Sequence, residues 1–380
     1  MRIAISASVL EWALERCGGG TDLSRKFPRL SEWLTGAAQP SLRQLEEFAK
    51  ATSVPFGYLL LPKPPEERLP IPHFRTLFDK PARQVSPDLL ETVHTMQRRQ
   101  AWMREYLIEQ GLESLPFVRS ASLTDDPAGV ARQIRDTLWL GTAWAAEQST
   151  WTAALRALQN KMEEAGILVV VNGVVGNNTR RKLDVEEFRG FILVDEYAPL
   201  VFVNGADGKA AQMFTLAHEL AHVWLGSSAA FDLRDLQPAS DKTEQMCNRV
   251  AAEFLVPSSQ LRDFWQSIGH TAERFQAIAR QFKVSEIVAA RRVLDLKLIA
   301  EKEFFEFYQA YQERERVTER DQEGGNFYAT QNLRIGRRFG EAVVRAAKEG
   351  RLLYREAYQL AGLYGKTFDQ YAESVLGMPV

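Results

Sequence analysis

The chain has 380 residues, 45% of them hydrophobic, and a formal net charge of -2, which suits two or three domains with full-sized cores and offers no global basic field for nucleic acid or anionic membrane. Two cysteines, Cys17 and Cys247, exclude a disulfide framework and suit a reducing compartment. The longest apolar run, near Ile167 to Val175, is interrupted by Asn172 and Gly173 and is too short to span a bilayer, and Glu11 and Glu15 break the apolar N-terminal stretch, so a cytoplasmic protein with no membrane segment is expected.

Val9, Leu10, Leu14, then Leu30, Trp33, Leu34, then Leu42, Leu45, Phe48 and Ala49 predict three or four short helices over residues 1–61, separated by Gly18-Gly19-Gly20 and by Gly36 to Pro40. Units of this kind often bind DNA with a helix in the groove and basic residues on the phosphates. Here Arg25, Lys26, Arg29, Arg43 and Lys50 are offset by Glu32, Glu46 and Glu47, and the segment in the place of a recognition helix is short and carries Phe27 and Pro28. A structural or protein-binding role therefore stands beside DNA contact. Leu61 to Pro72 is proline-dense, so residues 62–86 read as a semi-rigid linker. Pro87 to Gly111 is a long helix in which Gln97, Arg98, Arg99 and Gln100 read as a solvated face, with Trp102 and Tyr106 turned inward. His73 and His94 have no partner at metal-ligand spacing.

Residues 87–310 read as one domain. Ala131 to Leu140 and Thr152 to Ala165 are helical; Ile167 to Val171, Gly190 to Asp195 and Leu200 to Val203 are strands bounded by turn residues. The polar loop Gly176 to Asp184, with Arg180, Arg181 and Lys182, reads as an exposed turn rather than a clamp for carboxylates. Then comes the run His218-Glu219-Leu220-Ala221-His222, inside a helix marked by Ala211, Phe214, Ala217, Leu220, Ala221 and Trp224 and stopped by Gly226. Residues four apart on a helix share a face, with Cβ atoms about 5 to 6 Å apart, so two imidazoles can grip one metal ion. Glu219 reaches the edge of the same site, where it can take a proton from an attacking water.

A catalytic zinc needs three protein ligands. The extended motif with a third histidine is absent, because Leu225 and Ser228 occupy the places of its glycine and histidine. After a polar loop with Asp232, Asp235 and Pro238, Asp241 to Pro257 reads as a second amphipathic helix on which Glu244 and Asn248 lie four apart. Glu244 is the candidate third ligand, and Asn248 a group that orients an imidazole or the carboxylate. Glu244 also fits a capping box with Asp241, and Glu253 and Cys247 are rival ligands. Thr271 to Leu294 has a helix-turn-helix pattern that reads as a unit closing this domain, with His270 just before it. The charged run Gln312 to Gly325 reads as a solvated helix end and linker. Residues 326–380 read as a separate helical module with a cap or partner-docking role, marked by Phe339, Val343, Val344, Leu352, Ala357, Leu360 and Phe368.

The two segments MFTLAHELAHVWLG and EQMCNRVAAEFLVP, in that order, resemble the ImmA/IrrE family of bacterial zinc metallopeptidases; the likeness extends upstream through residues 166–205 and to an N-terminal segment similar to a shortened repressor-type helix-turn-helix. The resemblance implies an α+β fold: a zincin-like metallopeptidase domain of small sheet plus HExxH helix, with a helix-turn-helix-like domain before it and a helical C-terminal module after it. It implies one zinc ion per chain on His218, His222 and Glu244, with Glu219 as catalytic base. It also implies a protein substrate of regulatory kind, a repressor or an adjacently encoded toxin, cleaved in stress response, mobile-element control or a toxin–antitoxin setting. The alternative is a non-proteolytic antitoxin or DNA-binding regulator that keeps the zinc domain as scaffold. In HExxH peptidases an extended substrate can add to a sheet edge, and Phe191, Ile192, Leu193 and Val194 are the expected edge, the other reading being that this strand is interior.

Overall fold

The computed structural model describes residues 2–17, 23–66, 85–226, 230–231, 241–269, 271, 273–315 and 327–376. The expectations for Gly18 to Gly20, His73, His270, the loop with Asp232, Asp235 and Pro238, and most of the proline-rich linker fall outside these residues. The described residues divide into two compact units, those up to His94 and those from Thr95 onward.

The first unit is helical. It contains α1 (Ala7–Arg16), α2 (Leu23–Lys26), α3 (Leu30–Leu34), α4 (Leu42–Thr52) and a 3-10 turn, Phe56–Leu60. Ser41 and Gln44 close a capping box that starts α4. Val9, Leu10, Trp33, Leu45, Phe48 and Leu59 form a closed apolar centre. The α2 and α3 helices are only four and five residues long.

The second unit takes in the long helix α5 (Pro87–Glu109) from Thr95 onward, followed by α6 (Pro127–Thr137), α7 (Trp151–Glu164), β1 (Leu168–Asn172), β2 (Val174–Val175), β3 (Asn178–Lys182), β4 (Gly190–Leu193) and β5 (Leu200–Asn204). Then follow α8 (Lys209–Leu225), β6 (Ala230–Phe231), α9 (Lys242–Leu255), α10 (Ser258–Ile268), α11 (Arg274–Phe282), α12 (Glu286–Asp295) and α13 (Glu301–Glu315). The chain closes with α14 (Phe327–Ile335), α15 (Arg337–Lys348), α16 (Tyr354–Ala361) and α17 (Lys366–Leu376). Among the described residues no helix is long and apolar enough to cross a membrane.

The main sheet has strand order β1-β5-β4-β6, with β1 parallel to β5 and the other pairs antiparallel. Both β1 and β5 are buried along their whole length, as their unbroken runs Leu-Val-Val-Val and Leu-Val-Phe-Val require. Helix α8 lies on β4 and β5 and against α9. Apolar side chains of α6, α7, α8, α9, α11 and α12 form one continuous core with this sheet. Helix α8 ends at Gly226, whose φ of 73° is left-handed; a side chain there would meet Arg119.

Four readings of the sequence change. Gln97 to Gln100 are a solvated face only in part: Arg98 is exposed, but Arg99 is 5% exposed and donates to the carbonyls of Arg334, Ile335, Leu360 and Ala361, while Gln100 donates to those of Leu193 and Ala198. A guanidinium can be buried there because the C-terminal carbonyls of α14 and α16, the negative ends of two helix dipoles, surround it. The loop Gly176 to Asp184 contains a strand, β3, paired antiparallel with β2; its side chains are mostly exposed, so no apolar alternation marked it. Strand β4 is interior at its start, since Gly190 and Phe191 pair with β6 while all four residues pair with β5. Residues 327–376 belong to the second unit: α14 and α15 lie on β1, and the backbone at Gly336 comes so near Val169 that a Cβ would stand 2.9 Å from its carbonyl oxygen.

Candidate metal centre

Helices α8 and α9 bring the predicted ligands together. The Nε2 atoms of His218 and His222, one turn apart on α8, are 3.1 Å from each other. From α9 the carboxylate of Glu244 reaches both, at 3.1 Å from His218 and 3.3 Å from His222. Both histidines are fully buried. His218 Nδ1 donates to Asn248 Oδ1 at 3.0 Å, which fixes the tautomer and leaves its Nε2 lone pair facing the other donors.

The rival roles separate on geometry. Asp241 caps α9 by accepting from the Thr243 N–H at 2.7 Å, while Glu244 points at the histidines. Glu253 accepts from Arg292 and from the Ser258 N–H, so its carboxylate is committed elsewhere. Cys247 is closer to the site: its sulfur lies within 4.8 Å of a ring nitrogen of each histidine. Burial, then the charges of Glu244, Glu219 and Asp241, push its thiol up. Burial alone would raise Glu244, but hydrogen bonds and charge from both histidines outweigh it and hold that carboxyl well below the usual range. The Glu244 carboxylate is the acidic group in direct contact with both imidazoles.

Glu219 is fully buried, and neither carboxylate oxygen has a hydrogen-bond partner among the described residues. Burial first, and then the negative charge of Glu244, push it well above the ordinary carboxyl range. Gly190 on β4 stands beside it: a Cβ there would meet Thr215 Cγ2 at 2.5 Å, the Phe202 carbonyl at 2.9 Å and Glu219 Oε1 at 3.5 Å. The sequence reading missed Gly190 and Thr215. Their only signal was a glycine opening an apolar strand, which marks a close backbone approach.

Two imidazoles and one carboxylate are the donor set of a catalytic zinc site, and a buried carboxylate lacking any partner beside them fits a polar occupant. The expected substrate strand is less simple. Phe191, Ile192 and Leu193 have buried side chains, Val194 lies past the strand, and the Leu193 carbonyl already accepts from Gln100 at 2.7 Å. The three buried side chains are packed in the core, and among the described residues Gly190 and Phe191 are the β4 residues paired with β6.

Comparison with known proteins places this geometry. Residues 162–294 match a peptidase-family model described as the IrrE N-terminal-like domain, and residues 335–374 match a Domain of unknown function (DUF8813). No curated protein and no solved structure matches the chain. His218, Glu219, His222 and Glu244 all lie in the first matched stretch, about a third of the chain, so the part of this protein that carries the site is the part similar to the IrrE N-terminal-like peptidase domain.

Proposed function

We propose that this protein is a zinc-dependent endopeptidase that cuts a specific regulatory protein. The observation that carries the reading is the meeting of His218, His222 and Glu244 within 3.3 Å, with the unpartnered carboxylate of Glu219 beside them. A zinc ion held by these three residues would supply Lewis acidity that activates a water and polarises a carbonyl. Glu219 then accepts the proton of the attacking water and delivers it to the departing amine. Its raised pKa favours the second half of that cycle, and positive charge from a bound cation favours the first. His218 is kept in position by Asn248. The resemblance to ImmA/IrrE peptidases supports a repressor or an adjacently encoded toxin as target.

A Glu219→Gln variant tests this. Amide for carboxylate preserves shape and removes the base, so the variant should hold its target in the native host without cutting it, while the wild type releases two fragments. If wild type and variant yield the same intact partner and purified wild type never cleaves it, the peptidase reading fails.

A further inference from the structure

Of the four residues at the metal centre, His218, Glu219 and His222 are 0% exposed, and the Glu244 side chain is 20% exposed. A scissile peptide bond has to lie beside the metal and Glu219 with the reacting atoms about 3–3.5 Å apart. Some part of the chain that covers the centre therefore gives way when a protein substrate enters.

The sheet indicates which part. In the order β1-β5-β4-β6, β4 would be the edge but for β6, and β6 consists of two residues, Ala230 and Phe231. It runs antiparallel to β4, with Phe231 opposite Gly190 and Ala230 opposite Phe191. Gly190 is the β4 residue packed on the catalytic carboxylate, since a Cβ there would stand 3.5 Å from Glu219 Oε1. Residues opposite one another in an antiparallel ladder have Cα atoms about 4.5–5.5 Å apart. A strand in the register of β6 thus runs one strand spacing from the residue against which Glu219 packs. Extended backbone, antiparallel pairing and nearness to the base are together what strand addition asks of a peptide substrate. A two-residue ladder is weak by itself, and an incoming strand would restore the main-chain hydrogen bonds that β6 gives up, so the exchange costs little.

We infer that β6 holds the place on β4 that an extended segment of the protein substrate takes, so that the enzyme inhibits itself and substrate enters by strand exchange. The inference rests on the peptidase reading and adds to it a pseudosubstrate within the chain. It also assigns the docking register: substrate main chain pairs antiparallel with Gly190 and Phe191, whatever its side chains.

Hydrogen exchange on the zinc-loaded full chain tests this with two probes, the peptide hydroxamate Pro-Leu-Gly-NHOH and acetohydroxamate, which carries the same zinc-binding group without a strand. The peptide hydroxamate is expected to speed exchange in the stretch containing Ala230 and Phe231 about tenfold or more while Gly190 and Phe191 stay protected, and acetohydroxamate to leave that stretch unchanged. Proline cannot donate to the ladder, so of Ala230→Pro and Phe231→Pro at least one should bind the peptide hydroxamate about tenfold tighter than the wild type, with acetohydroxamate affinity unaltered. The wild-type measurement needs no variant and stands even where a proline perturbs folding. Zinc-dependent binding of the peptide hydroxamate with unchanged or slower exchange at Ala230 and Phe231, or the same acceleration by acetohydroxamate, would overturn the inference and leave the peptidase reading intact. Failure of both probes to bind the zinc-loaded chain would overturn the two together.

Discussion

Glu244 and Asn248 both touch α8 from α9, but they do different work. Glu244→Ala deletes one of three donors and should strip most of the zinc from dialysed protein, whereas Glu219→Gln should keep one zinc per chain; elemental analysis reads both. Full occupancy in the Glu244 variant would move the third ligand elsewhere, with Cys247 first in line. Asn248→Ala leaves all three donors in place and frees the His218 ring, so metal affinity should fall about 10–100-fold. Unchanged affinity would mean that the 3.0 Å contact does not orient the ligand. At this scale the histidines were legible because helical geometry dictates their spacing. Glu244 was legible mostly through the family resemblance, since its place near the start of α9 also suits a capping role. Arg99 was unreadable: a lone arginine in a polar run looks solvated, and the carbonyls that bury it come from residues more than 230 positions away in the chain.

Among the elements, the junction of α7 with α15 has a pH signature. The Glu163 carboxylate accepts from the Arg338 N–H in the first turn of α15, at 3.1 Å. Burial pushes its pKa from 4.5 to about 7, against the lowering effect of that hydrogen bond. A carboxyl whose folded pKa lies above its unfolded value stabilises fully below about 4.5, and that contribution is lost as pH rises through about 7. The shift bounds the loss at about 3 kcal/mol. Glu163→Gln retains an acceptor and cannot ionise, so above neutrality it should be more stable than the wild type by up to that amount, with the gap vanishing at acid pH; chemical denaturation across the range measures it. A constant gap would point to packing instead of ionisation. Strands β1, β4 and β5 were legible from their apolar runs, but neither the pairing of β4 with a two-residue β6 nor the β2–β3 hairpin could be read from composition, because short or polar strands are specified by their neighbours.

On the scale of the whole molecule, the first unit has the helical make-up that the sequence suggested, but its charges offer little to a phosphate backbone. Arg29 pairs with Glu32 and Arg43 with Glu47 on the unit's own surface. The full chain should therefore bind DNA weakly and with steep salt dependence. A sequence-specific complex in the nanomolar range at physiological salt, seen by titration against its own promoter, would contradict this and favour a regulator.

The Arg99 clamp bears on where this protein can be divided. The stretch matched to the peptidase family stops at residue 294, and a protein engineer would cut near there to obtain a minimal enzyme. Such a cut removes the Arg334, Ile335, Leu360 and Ala361 carbonyls and strands a cation whose burial already draws its pKa down to about 10. It also uncovers β1. A fragment ending before α14 should aggregate or lose its cooperative unfolding transition, whereas one beginning at Ser86 and keeping the C-terminus should fold. If the shorter fragment proved soluble, cooperative and zinc-loaded, the clamp would be dispensable. Kinship in sequence and packing in space thus follow different borders in this chain, and the tail that looks like an appendage is part of the same compact unit as the metal centre.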